Sequence, residues 1–277
     1  MSIDLPAFAL SIAIATAAGL VGCFAVMRRM ALAADAISHV ALPGIALAIA
    51  LRIHPLFGAV AMLVVGALFI WAVERRTRLA TETIIGVVFS AALAIGSLMS
   101  SPEDLVDALF GGAGTLTTGE TVFGLVGATA VIVFVLMKRS SLVLWLVSPE
   151  IARTAGIDVA RLDLLFLEVF AVTVALGLRY LGVLLMGSLI IIPAATAKRL
   201  ARSLTGMLVI AVAAAVLSTV LGTYVARLVD RPMGPIIITI AATLFLASML
   251  RPARLASSLA HHRFSHVKRS RPTLHAA

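Results

Sequence analysis

Two ionisable residues stand where an apolar helix is expected. In the run Ala34-Asp35-Ala36-Ile37-Ser38-His39-Val40-Ala41-Leu42-Pro43-Gly44, Asp35 and His39 are four residues apart, so a helix carries both on one face. A carboxylate and an imidazole converging there suit a borderline divalent cation such as zinc, and would accept manganese or iron as well. The competing reading is a structural Asp–His hydrogen bond between packed helices, because two ligands make an incomplete site. Just beyond His39, Pro43-Gly44 predicts a kinked or broken helix with carbonyls freed near a central pathway.

Other polar groups are open to more than one reading. Glu168 lies about one turn into a later apolar run. It is either a pathway group or an acid that reaches the interface or pairs with a neighbouring base. Glu103, Asp104, Asp107 and Glu120 gather in one segment, where they attract cations, dock a basic patch, or simply carry solvated charge. His261, His262 and His266 have metal-like spacing in a basic tail, although a short exposed histidine cluster binds metals loosely without being a built site. Several chemistries are missing from the sequence. There is no phosphate-binding G-x-x-x-x-G-K-[ST] string; the nearest, Gly114 to Glu120, ends in an acid where lysine is needed. No H-E-x-x-H, C-x-x-C or G-x-S-x-G string occurs, and Cys23 is the sole cysteine. A membrane enzyme would show a denser catalytic cluster, so a non-catalytic chain is expected.

The elements that must hold these residues are membrane helices. Of the 277 residues 61% are apolar and 13% charged, with mean hydropathy +1.12. Soluble domains carry about 45–50% apolar and about 25% charged residues. Disorder and a disulfide scaffold are both excluded. The expected fold is an all-α polytopic membrane protein with nine spans near 7–27, 31–51, 56–73, 82–100, 121–137, 163–179, 181–197, 206–226 and 235–250. Eight spans with one re-entrant piece is the alternative, because Arg179-Tyr180 is a thin break. The run from Ala7 to Met27 is long enough to span and has its positive charges, Arg28 and Arg29, after it. It therefore reads as a first helix with its N-terminus outside rather than as a cleaved signal.

The net charge of +9 is unevenly placed. With the N-terminus outside, the inner stretches hold 18 of the 22 basic residues and five acids, a balance of +13. The outer stretches hold four basic residues and six acids, a balance of −2. This is the positive-inside pattern, and no compact basic face suggests nucleic acid. Residues 1–250 are expected to form the membrane domain, with an inner segment at 138–162 that is partly apolar. Residues 251–277 are expected to be a disordered, basic, cytoplasmic tail.

The strings Arg28-Arg29-Met30-Ala31-Leu32-x-x-Asp35-Ala36-Ile37-Ser38-His39-x-x-Leu42-Pro43-Gly44 and Tyr180-Leu181-Gly182-Val183-Leu184-Leu185 through Ser188-Leu189-Ile190-Ile191-Ile192-Pro193-Ala194-Ala195-Thr196-Ala197 resemble those of zinc/manganese/iron ABC permeases, the ZnuB and MntB type. Weaker matches are Ile85-Gly86, Phe89-Ser90, Leu109-Phe110-Gly111 and Ser148-Pro149-Glu150 through Ala155-Gly156. The likeness runs from about residue 7 to 252. It implies the homodimeric membrane part of a binding-protein-dependent importer in a bacterial cytoplasmic (inner) membrane. ATP would be held by a separate ATPase subunit, and an extracytoplasmic metal-binding protein would deliver the ion. This chain would bind no cofactor of its own, and the missing phosphate loop would be explained. The resemblance assigns the in-membrane metal site to Asp35 and His39. It likens Ser148–Ile157 to a coupling helix that docks on the ATPase, with Pro149, Glu150, Ala152, Arg153 and Gly156 as contact positions. There Ala152 and Ile151 would pack while Glu150 and Arg153 stay at the rim. The string Ser188 to Arg199 looks closer to zinc-type members. The rival functions are an ion-coupled secondary transporter working without an ATPase, and a membrane-embedded enzyme.

Overall fold

The computed structural model describes residues 5–77, 79–99, 117–181 and 183–250. All regular structure among them is helical. The elements are α1 (Leu5–Met27), α2 (Ala31–Ala50), α3 (Pro55–Arg76), α4 (Thr81–Met99), α5 (Thr118–Val147), α6 (Pro149–Thr154), α7 (Val159–Leu181), α8 (Val183–Leu200), α9 (Leu204–Leu228) and α10 (Met233–Leu250). Nine of these have 18 residues or more and correspond in order to the nine expected spans. Six (α1, α3, α4, α5, α9 and α10) are long and apolar enough to cross a bilayer, and α2 adds the shorter apolar stretch Ala36–Ala50. The tail 251–277 and the acids Glu103, Asp104 and Asp107 lie outside the described residues.

Lipid offers no hydrogen bonds, so polar side chains within such helices must be satisfied locally. Several hydroxyls are: those of Ser11, Thr16, Thr173, Thr196, Ser218 and Thr219 each donate to the carbonyl four residues earlier. Among the six candidate spans α1 is the most enclosed; it packs against α5, α7, α8 and α9, while α2 packs chiefly on α3 and α4 and also reaches α8 and α7. The core between them holds Phe24, Phe166 and Phe170, all fully buried.

Two expectations change. Pro43-Gly44 neither breaks nor ends α2, which continues to Ala50. Gly44 serves a close helix crossing instead: a Cβ there would collide with the carbonyl oxygen of Gly58 on α3, and a Cβ on Gly58 would collide with that of Gly44. Residues 138–147, expected as loop, extend α5 to 30 residues. At 1.5 Å per residue that is about 45 Å, against a hydrocarbon core of about 30 Å.

The turns between helices are tight. α1 closes with Met30 N–H donating to Ala25 O and Arg29 N–H to Val26 O. This is the Schellman pattern, with Arg29 in the left-handed region (φ 64°) at the position glycine usually takes. Arg52 (φ 55°) closes α2 in the same way, its N–H donating to Ile49 O and that of Ile53 to Ala48 O. A left-handed non-glycine residue is strained by about 1 kcal/mol. The burial of the residue that follows Arg29, Met30 at 2% exposure, offsets that cost in the first turn.

Candidate metal pathway and coupling surface

His39 sits on the third turn of α2, with its ring partly buried. Its neighbour across the helix crossing is Phe89 on α4, edge-to-face with ring centroids 5.4 Å apart. The ring nitrogen Nδ1 is buried and has no hydrogen-bond partner among the described residues. Leaving a buried polar atom unpaired costs about 1–3 kcal/mol. Asp35 lies one turn earlier on the same unbroken helix, so the two Cα positions share a face. The Asp35 side chain is outside the described residues. Among the described residues no group of three His, Cys, Asp or Glu is placed to hold a metal. The described residues thus make no closed four-ligand site.

The helix that carries His39 is held closely on two sides. Besides the Gly44–Gly58 crossing, Gly66 on α3 faces Val40, and Gly96 on α4 faces Leu42 and Pro43. Small residues on α3 and α4 thus let α2 approach both neighbours around the level of His39 and fix its rotation. Glu168 on α7 has its Oε1 buried and without a hydrogen-bond partner among the described residues, so the expected base partner is not found there.

At the end of the bundle where α3 and α5 begin, His54 and Glu120 meet. His54 Nδ1 accepts the Leu56 N–H at 3.3 Å, capping α3, so the proton of the neutral ring belongs on Nε2. That nitrogen lies 3.1 Å from Glu120 Oε1. Glu120 in turn completes a capping box with Thr117 at the start of α5. Glu120 is therefore a structural link between two helix starts as well as a member of the acidic segment.

The short helix α6 lies between α5 and α7 at the opposite end. Ser148 caps it, with its side chain accepting Ile151 N–H at 3.3 Å, and Pro149 occupies the first turn, where a missing N–H costs nothing. It stops at a third Schellman closure: Ile157 N–H donates to Ala152 O and Gly156 N–H to Arg153 O. Gly156 has φ 77° and makes this stop, so its place in the expected contact set is explained by helix termination. Ala152 is fully buried inside the chain, which corrects its expected role as a contact: it anchors α6 to its own bundle. Pro149, Glu150 and Arg153 are exposed. Ile151 is also exposed, at 55%, and Val147 at the end of α5 is at 77%. An apolar pair with charged neighbours on a short capped helix has the composition of a docking surface with a polar rim.

A cluster of charges from separate segments joins α3, α5 and α7 to the end of α1. Arg28, directly after α1, places Nη2 2.6 Å from Asp163 Oδ1 on α7 and 3.6 Å from Glu74 Oε1 on α3. Its guanidinium lies over the Trp145 ring of α5 at 4.4 Å. The only sequence signal was that each residue sits at the edge of an apolar run.

Comparison with known proteins bears on the fold and the family. Residues 2–252 match the ABC 3 transport family. The high-affinity zinc uptake system membrane protein ZnuB of Haemophilus influenzae is 30% identical over 255 residues, 90% of this chain and 98% of that protein. The manganese import system permease protein ScaB of Streptococcus parasanguinis is 31% identical, covering 86% of each chain. The chelated iron transport system membrane protein YfeD of Yersinia pestis is 32% identical, covering 83% of this chain and 79% of that one. Among solved structures, a chain of PsaBC from Streptococcus pneumoniae in complex with Fab superposes with TM-score 0.78 at 27% identity, covering 92% of this chain and 94% of that chain. A bundle of membrane-length helices, matched along nearly its whole length in sequence and in fold, places the protein: this chain belongs to the ABC 3 transport family.

Proposed function

We propose that this chain is the permease subunit of a binding-protein-dependent ABC importer that carries a divalent transition metal, with zinc as its main cargo, into the cytoplasm. The observation that carries the reading is the orphaned, buried Nδ1 of His39 on the helix that also bears Asp35. Two such chains form a homodimer around the pathway, in a bacterial inner membrane, with the N-terminus outside and the tail 251–277 inside. A metal-binding protein delivers the ion to the outer face, where His54 and Glu120 lie. Asp35 and His39 hold it in transit, and a site with few protein ligands is weak enough to empty inward. ATP is bound and hydrolysed by a separate ATPase docked on α6, and this chain is non-catalytic.

Zinc is favoured over manganese and iron by the ZnuB likeness over 98% of that protein; an Asp plus a His does not discriminate among the three. Competition measures it. Uptake of radioactive zinc at micromolar concentration is expected to be reduced less than twofold by a tenfold excess of manganese or ferrous iron. Greater than fivefold suppression by manganese would assign the chain to manganese instead.

A further inference from the structure

A movement of α6 reaches the helix that holds His39 only through its neighbours, and one joint links the helices on either side of α6 to the turn before α2. Trp145 stands three residues before the cap of α6, and Asp163 lies in the first turns of α7, which follows it. Both meet Arg28. Arg28 itself is the last residue before the left-handed turn at Arg29 and the buried Met30 that lead into α2. Glu74 brings in the end of α3 and accepts a hydrogen bond from the Thr81 hydroxyl at the start of α4. Trp71 adds a second tie between α3 and α7, its Nε1 donating to Ala160 O at 3.2 Å.

The chemistry of this joint is unlike that of a static staple. One guanidinium serves two carboxylates, and the three side chains are only 16%, 14% and 23% exposed. Arg28 Nη1, Glu74 Oε2 and Asp163 Oδ1 are buried with no aligned hydrogen-bond partner among the described residues. The Arg28–Asp163 approach is thus short but off the hydrogen-bond axis. A buried ionic network left partly unsatisfied is poorly stabilising. Arg28 Nη2 lies 2.6 Å from one carboxylate and 3.6 Å from the other, so a small shift would exchange its nearer partner. Packed interfaces with two discrete pairings convert small displacements into switches.

We propose that Arg28, shared between Asp163 and Glu74 and seated on Trp145, is the positioning residue that transmits displacement of α6 to α2 during transport. This rests on the reading of α6 as the ATPase docking helix, and the two are tested separately in the intact importer complex. Three quantities are read from the same preparation: ATPase subunit co-purifying with the permease, ATP hydrolysed, and zinc taken up. Arg28→Gln is expected to retain co-purification and hydrolysis within twofold of wild type, while zinc transported per ATP falls at least tenfold. A merely structural role changes the amount of complex but not that ratio. Asp163→Asn and Glu74→Gln, which keep side-chain shape, are expected to lower the ratio in the same direction. They decide the matter should Arg28→Gln fail to accumulate. The exchange Arg28→Asp with Asp163→Arg is expected to recover at least threefold over Arg28→Asp alone. An unchanged ratio in Arg28→Gln, or in both carboxamide variants, overturns the joint. Loss of the docking reading shows differently, as full co-purification by variants of the exposed α6 surface.

Discussion

His39→Ala is expected to abolish metal uptake while leaving the permease in the membrane at its normal level. The ring is only partly buried and makes one aromatic contact, with Phe89, so its removal costs the bundle little. No hydrogen bond among the described residues depends on Nδ1. Under the proposed function, the transported ion in contrast loses one of the two ligands assigned to this chain. Uptake is expected to fall at least about 100-fold, since disturbing even outer-shell partners of a metal ligand costs about 10–100-fold. Asp35→Ala is expected to behave alike. Intracellular zinc in metal-starved cells, read beside the amount of permease, checks both. Full accumulation by either variant removes the residue from the pathway.

The second large effect concerns α6. Ile151 is 55% exposed on a helix whose ends are fixed by Ser148 and Gly156 and whose inner face is fixed by Ala152. Ile151→Glu therefore changes the outer surface without loosening the helix. Burying an isoleucine contributes about 1.5–3 kcal/mol, and a carboxylate in its place adds a desolvation penalty. The expected result is loss of ATPase co-purification by tenfold or more, with uptake lost in parallel, whereas Arg153→Ala at the rim changes binding by less than threefold. Co-purification of Ile151→Glu at wild-type yield would remove α6 from the interface.

The helix order was legible because a bilayer demands about 20 apolar residues per span, and charge between such runs has little other explanation. Asp35 and His39 stood out for the same reason. What was not legible depends on contacts between distant segments. Pro43-Gly44 carries the local signal of a break, but Gly44 answers Gly58 on α3, and no spacing rule connects them. Lys138-Arg139 looked like a loop because charge marks span edges; α5 continues through them, since the helix extends beyond the length a span needs. Ala152 and Ile151 are adjacent in sequence and differ only in which one faces the bundle, which the sequence of a single short turn does not decide. Arg28, Glu74 and Asp163 each stand at the edge of a different apolar run, and their convergence beside Trp145 is a property of four helices meeting at one end.

The most direct measurement is radioactive zinc uptake into proteoliposomes that contain this permease with its ATPase subunit, with the delivery protein outside and ATP inside. Uptake by the wild-type complex that requires ATP, and that falls to the level of empty vesicles with His39→Ala, is the expected result. Zinc entry that persists without the ATPase subunit, or that survives His39→Ala undiminished, contradicts ATP-driven passage of the metal past α2.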